Sequence, residues 1–301
     1  METFEQRVMR LKEQAREVRL HILEMIHAAG SGHPGGSLSA ADIMTALYFD
    51  ILNVDPKNPL DPERDRFVLS KGHACPVWYT CLALRGFFPV EELKTLRRVN
   101  SRLQGHPVAG KCPGIDATTG SLGVGFGQAV GMALEAKMTG KKYRVYTVLG
   151  DGELNEGIVW ESCNAAAKYR LSNLCAIVDN NGLQNDGFGR DIMPMGPLAP
   201  RFEAAGWRTL PINGHRMEDI LLALNEVKNY PAVPGMNSLP DFYSRPGLHS
   251  KPCVIIADTI KGKGVSFMEN VRDWHGKAPN DDEYRRAVEE IKKAETTGAQ
   301  L

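Results

Sequence analysis

RVYTVLGDGELNEGIVWESCNAAAKYRLSNLCAIVDNN, residues 144–181, contains two apolar runs, each halted by a short polar turn. Val145, Val148 and Leu149 stop at Gly150-Asp151-Gly152, and Leu174 to Val178 stops at Asp179-Asn180-Asn181. Helix-forming residues lie between them. The pattern predicts strand, loop, helix, strand, loop, which is one βαβ unit with the usual right-handed crossover. Both loops then leave the carboxyl ends of parallel strands, the side on which α/β sheets bind ligands. Asp151 and Asn181, thirty residues apart along the chain, are expected side by side.

A carboxylate and an amide oxygen are hard ligands suited to Mg2+ or Ca2+, with water and phosphate oxygens completing the shell. Gly150 and Gly152, lacking side chains, let a diphosphate approach the backbone and the next helix's N-terminus. Composition narrows the setting. The 301 residues carry 36 basic and 36 acidic groups, which gives no basic excess of the kind a nucleic-acid binder usually shows. No run of eighteen apolar residues is present, so no membrane span is expected, and the charged start METFEQRVMRLKEQ is unlike a secretory signal. The six cysteines form no CxxC pair and read as buried thiols in a reducing, cytoplasmic setting.

Outward from the central unit, Phe4, Val8, Leu11, Ala15, Val18, Ile22 and Ile26 recur at helical spacing up to Gly30. Ser31 to Ser37 (SGHPGGS) is too rich in glycine and proline for regular structure, and Ser37 or Ser39 is a candidate cap for a helix over Ala40 to Ile51. Arg66 to Ser70 reads as a strand running into Lys71-Gly72-His73-Ala74, followed by a helix from Cys75 to Arg85. Gln104-Gly105-His106-Pro107 precedes Thr118 to Gly125, a glycine-rich entry to a helix over Phe126 to Met138. Each histidine alone suits a local role, but three in glycine-flanked loops suggest a pocket. A zinc site is the weaker reading, because no two of them share helical ligand spacing. Further on, strands are expected near Arg208 to Ile212 and Pro252 to Asp258, with His215 either structural or near the site. The proline-rich segment Tyr230 to Ser250 reads as a surface excursion.

GDG followed at this interval by NN resembles the metal and diphosphate signature of thiamine diphosphate enzymes. With SGHPG, SKGHA, QGHP and TTGSLG before it, the chain resembles the N-terminal half of transketolase over nearly its whole length. The resemblance implies an α/β fold, a parallel sheet with helices on both faces. It implies one diphosphate-binding domain over residues 1–301, with N-terminal helices wrapping the edge and the site. Asp151, Asn181 and the Leu183 carbonyl would hold Mg2+, with Ca2+ able to substitute. Gly150 and Gly152 would admit the diphosphate. His73 would lie near it, and Gly120 and Leu122 would line the cofactor. His33 and His106 would meet the sugar, and His275, in Asp273-Trp274-His275-Gly276, would reach both diphosphate and substrate. Glu153 reads as an acidic first-turn residue favoured by the helix dipole, whereas Glu156 and Glu161 match an acid network at the family's subunit interface.

The implied activity is transfer of a two-carbon ketol unit from a ketose phosphate to an aldose phosphate. The family's activating glutamate belongs to a pyrimidine-binding domain that would follow this one. A partner chain carrying that domain is therefore expected, in an α2β2 assembly with the site between chains. Three alternatives stay open: a relative of 1-deoxyxylulose 5-phosphate synthase, the α chain of a 2-oxo acid dehydrogenase, and a non-catalytic cofactor-binding subunit. The histidine loops favour polyol substrates over those of the dehydrogenase. Carbon dioxide release from pyruvate would identify either of the first two.

Overall fold

The computed structural model describes residues 2–230 and 250–297. Helix α1 (Phe4–Ala29) opens on a Thr3–Gln6 capping box and closes on Gly30, whose φ of 61° suits a residue without a Cβ. Its buried stripe runs from Val8 to Ile26, but Phe4 is 41% exposed: it precedes the first turn that has anything to pack against. Two short helices follow, α2 (Pro34–Ser39) and α3 (Ala41–Ala46), then a wide π turn over Leu47–Ile51.

The irregular loop expected at Ser31 to Ser37 is thus helical from Pro34, and the continuous helix expected from Ala40 is broken. Pro34 at the first helical position presets φ, and the small residues after it are buried where longer side chains would not fit. Gly35 shows why: a Cβ there would lie 3.0 Å from both Lys261 Cγ and the Trp274 carbonyl. Neither serine caps. Ser37 Oγ donates to the His33 carbonyl and Ser39 Oγ to Asp179.

The remaining elements are β1 (Arg66–Leu69), α4 (Cys75–Leu84), α5 (Val124–Thr139), β2 (Val145–Gly150), α6 (Gly157–Lys168) and β3 (Leu174–Asn180). After them come α7 (Gly189–Ile192), α8 (Leu198–Ala204), β4 (Arg208–Asn213), α9 (Met217–Asn229), β5 (Cys253–Asp258) and α10 (Asp281–Thr297). The five strands form one sheet in the order β1-β2-β3-β5-β4, and every pairing is parallel. Pro211, which cannot donate to a ladder, sits on edge strand β4.

Alternate residues of each inner strand enter different hydrophobic clusters. Tyr146, Val148, Cys175 and Ile177 pack with α1, α3, α4 and α9, while Val145, Leu149, Ala176 and Val178 pack with α5, α6 and α8. Both faces are therefore covered, as near-continuous apolar strands require. The N-terminal helices form a layer over one face, with α1 laid across α3, α4 and α9. All six cysteines are buried and unpaired. The proline-rich excursion lies, from 231 to 249, outside the described residues. Among the described residues no helix is long and apolar enough to cross a membrane.

Candidate active site

Because all five strands run the same way, their carboxyl ends open on one side. That side receives Ser70 to His73 from β1, Asp151 to Glu153 from β2, Asn181 to Leu183 from β3 and Thr259 to Lys261 from β5. Gly150 pairs with Asp179 across β2 and β3, so the two turns expected to adjoin do adjoin. A cavity of about 530 Å3 lies among these loops. Its walls include His33, His73, Gly120, Leu122, Gly150, Asp151, Gly152, Glu156, Asn181, Leu183 and His275, which is the expected set apart from His106. His106 is exposed and rests its ring against the Gly120 backbone, outside the cavity wall. Asp151 and Asn181 also border a second, more apolar cavity of about 660 Å3, beyond the turn from Gly182 to Gly189.

Three imidazoles crowd together in it. His33 is 5.2 Å from His73 and 5.4 Å from His275 between ring centroids, and His73 is 5.1 Å from His275. Burial, then neighbouring charge, lowers the pKa of all three: His33 to about 4, His275 to about 4, and His73 well below its ordinary value. They are neutral at pH 7. Lys261 Nζ stands 2.9 Å from His275 Nδ1, and Arg97 Nη2 stands 3.3 Å from His33 Nδ1. Lysine and arginine can only donate, so each Nδ1 accepts and each ring proton sits on Nε2. Arg97 reaches His33 from a left-handed backbone (φ 59°) and also holds Ser31 Oγ at 2.7 Å.

Ionic groups adjoin them. Asp151 is pushed up to about 6, first by burial and then by Asp179, although the Gly152 and Gly182 amides partly offset this. Asp179 is fully buried and anionic, because Lys71 pairs with it while Ser39 and Thr259 donate to it. Lys261, 2% exposed, donates to the Leu183 carbonyl at 3.2 Å, and burial draws its pKa down to about 8. Asn181 Oδ1 accepts from Leu183 N at 3.1 Å. Among the described residues no three of His, Cys, Asp or Glu are arranged to hold a metal ion by themselves, so a cation at Asp151 would draw on neutral oxygens. Asp151, Asn181 Oδ1 and the Leu183 carbonyl supply such a donor set. Each neutral oxygen keeps a free lone pair, and the carboxylate lacks a compensating charge of its own. The residues fit a hard divalent ion.

Glu153 departs from the sequence reading. It is 2% exposed and accepts from the amides of Gly123 at 2.7 Å and Gly150 at 3.0 Å and from the Ser70 hydroxyl. The residues after Asp151 make a tight 3-10 turn over Gly152–Asn155 before α6 begins, and this points the side chain inward. Glu156 and Glu161 are exposed. Gly72 packs directly on the Thr119–Gly120 backbone, where a Cβ would come within 2.5 Å of Thr119 Oγ1. Asp186 and Arg190 lie on the exposed Gly182–Gly189 turn and its continuation into α7. His215 lies outside this cavity. Sequence reasoning misses Lys71, Asp179 and Lys261, yet Asp179 lies at the end of an apolar strand and the two lysines lie in the turns just beyond one, and that position is the available signal.

The chain matches the family described as transketolase, thiamine diphosphate binding domain, over residues 11–240. It belongs to the transketolase family. It is 41% identical to the 6-deoxy-6-sulfo-D-fructose transketolase subunit of Clostridium sp. (strain MSTE9), covering 94% of this chain and 96% of that one. It is 39% identical to an apulose-4-phosphate transketolase subunit from Actinobacillus succinogenes, again over 94% and 96%. The crystal structure of transketolase from Campylobacter jejuni superposes with a TM-score of 0.82 at 34% identity, over 94% of this chain but 42% of that one. The chain therefore spans less than half of a full-length transketolase and nearly all of two transketolase subunits.

Proposed function

We propose that this chain is the diphosphate-binding subunit of a two-subunit transketolase, transferring a two-carbon ketol unit between sugar phosphates. The observation that carries the reading is the cavity at the strand ends, which holds an under-compensated Asp151 beside Asn181 together with three neutral histidines. The likeness to two proteins named as transketolase subunits, over nearly their whole lengths, supports a partner chain that contributes the rest of the site, in an α2β2 assembly.

Asp151, Asn181 and the Leu183 carbonyl would hold Mg2+, and Gly150 and Gly152 would admit the diphosphate. Thiamine diphosphate, when bound, supplies a carbon nucleophile and an electron sink for cleaving the bond next to a carbonyl. The protein's own groups orient and neutralise. Lys261 sets positive charge beside the phosphate end, and Lys71, spent on Asp179, keeps that carboxylate from repelling an anion. His33 and His275 each keep a proton on Nε2, which suits them to donate to sugar hydroxyls or to oxygen that gains charge during transfer. Because they are neutral, counter-charge for the diphosphate falls to Lys261 and not to an imidazolium.

The test is reconstitution. The purified chain is mixed with a candidate chain bearing a pyrimidine-binding domain and assayed for ketol transfer with thiamine diphosphate and Mg2+. Activity only in the mixture is expected; full activity from this chain alone would refute the two-subunit reading.

A further inference from the structure

One buried ionic network lies outside the cavity. Arg19 of α1, 1% exposed, makes a bidentate pair with Asp42 of α3 at 2.9 and 2.6 Å. His215, after β4, places Nδ1 2.8 Å from Asp42 Oδ2, and its Nε2 accepts the Ile260 amide proton at 2.8 Å. A backbone N–H can only donate, so Nε2 is bare and Nδ1 carries the proton given to Asp42. Burial alone would raise the Asp42 pKa, but the charge of Arg19 and the hydrogen bonds from His215 and Arg19 hold it at about 2. The carboxylate thus fixes the tautomer, and the tautomer fixes the acceptor.

The far end of the network grips the turn that carries Lys261. Ile260 is bound by His215, and Arg19 Nε donates to the Lys263 carbonyl at 3.3 Å. Between them the Lys261 carbonyl accepts from Asn270 N at 2.9 Å, and Gly262 N donates to the Gly35 carbonyl at 3.0 Å. A buried ion pair is seldom more stabilising than apolar packing of the same volume. What such a pair contributes is a fixed geometry, and the geometry at stake here is that of a buried ammonium.

We infer that His215, oriented by the Arg19–Asp42 pair, is a positioning residue that holds Lys261 at the Leu183 carbonyl and the His275 ring. The inference rests on reading the cavity as a diphosphate site. It makes His215 act through Lys261, not by touching the ligand.

Two measurements on the full chain test it, with each variant checked for folding by its melting curve. The first is amide hydrogen exchange over 257–266 without ligand. His215→Phe is expected to raise exchange there and leave the rest unchanged, while His215→Gln, which keeps an acceptor, restores protection. The second is calorimetric binding of thiamine diphosphate and of inorganic pyrophosphate, each with Mg2+. His215→Phe should weaken both by about 10-fold. Lys261→Met should weaken both, and the double variant should bind no worse than Lys261→Met alone. Additive losses, or unchanged exchange in His215→Phe, would overturn the positioning role while leaving the diphosphate site standing. Absence of wild-type binding even with the partner chain present, or indifference to Lys261→Met, would instead remove the site and this inference with it. If His215→Phe does not fold, Asp42→Asn takes its place, with the same exchange and binding expected.

Discussion

Lys261 donates to His275 across 2.9 Å, so a buried cation holds the ring of a half-buried histidine in one tautomer. Burial comes first and Lys261 second among the causes that bring His275 to about 4. In Lys261→Met the burial remains and the charge goes. The His275 pKa is expected to rise by roughly one unit, read by NMR titration of labelled imidazole. No movement would mean the ammonium does not sense the ring.

The histidines also set an acid limit. For groups whose folded pKa lies near 4 against an ordinary 6.5, the unfolded chain binds more protons between these values. Their contribution is complete above pH 6.5 and is lost as pH falls toward 4. Urea unfolding at a series of pH values should show this slope, and His275→Phe should make it shallower.

Asp151 behaves oppositely in the metal-free chain. Its folded pKa of about 6 lies above the ordinary 3.8, so its contribution is full below about 4 and is lost as pH rises through 6. Asp151→Asn is expected to stabilise the metal-free chain at pH 7 by on the order of 1–2 kcal/mol, while metal-dependent binding of thiamine diphosphate is lost. Calorimetry and denaturant titration on one preparation report both effects. Retained binding would place the ion elsewhere.

Lys71 and Asp179 are both buried, so removing one partner strands the other. Lys71→Met is expected to cost on the order of 3–5 kcal/mol in denaturant unfolding, and adding Asp179→Leu should recover part of it. A loss under about 1 kcal/mol would show that the carboxylate finds another partner or takes up a proton.

Much of this site is readable from sequence because it is local and periodic. The apolar runs of β2 and β3 announce themselves, their end turns carry Asp151 and Asn181, and parallel pairing brings those turns together without further information. What is not legible depends on packing between distant segments. Glu153 has the composition of a solvated first-turn acid, and only its burial against Ser70 and Gly123 shows its role. Lys261 follows β5 in a turn that looks like any glycine-lysine turn, and only the position of His275 makes it a site residue. His106 shares the glycine-flanked look of the other histidines, yet it faces out beside Gly120.

Glu153 is also a knot. One carboxylate ties the segments bearing SKGH, TTGSLG and GDG through Ser70, Gly123 and Gly150. Glu153→Ala strands at least two buried amides and is expected to cost roughly 2 kcal/mol or more, measured by thermal or urea unfolding. An unchanged melting point would show that the three segments hold their places independently.

The same tie bears on how such proteins diverge and on how they can be recombined. Three stretches scattered across more than eighty positions share one anchor and form a single structural part. A chimera importing any one of them from a cousin brings a turn shaped for someone else's anchor, whereas exchanging all three with their shared acid keeps the fittings matched.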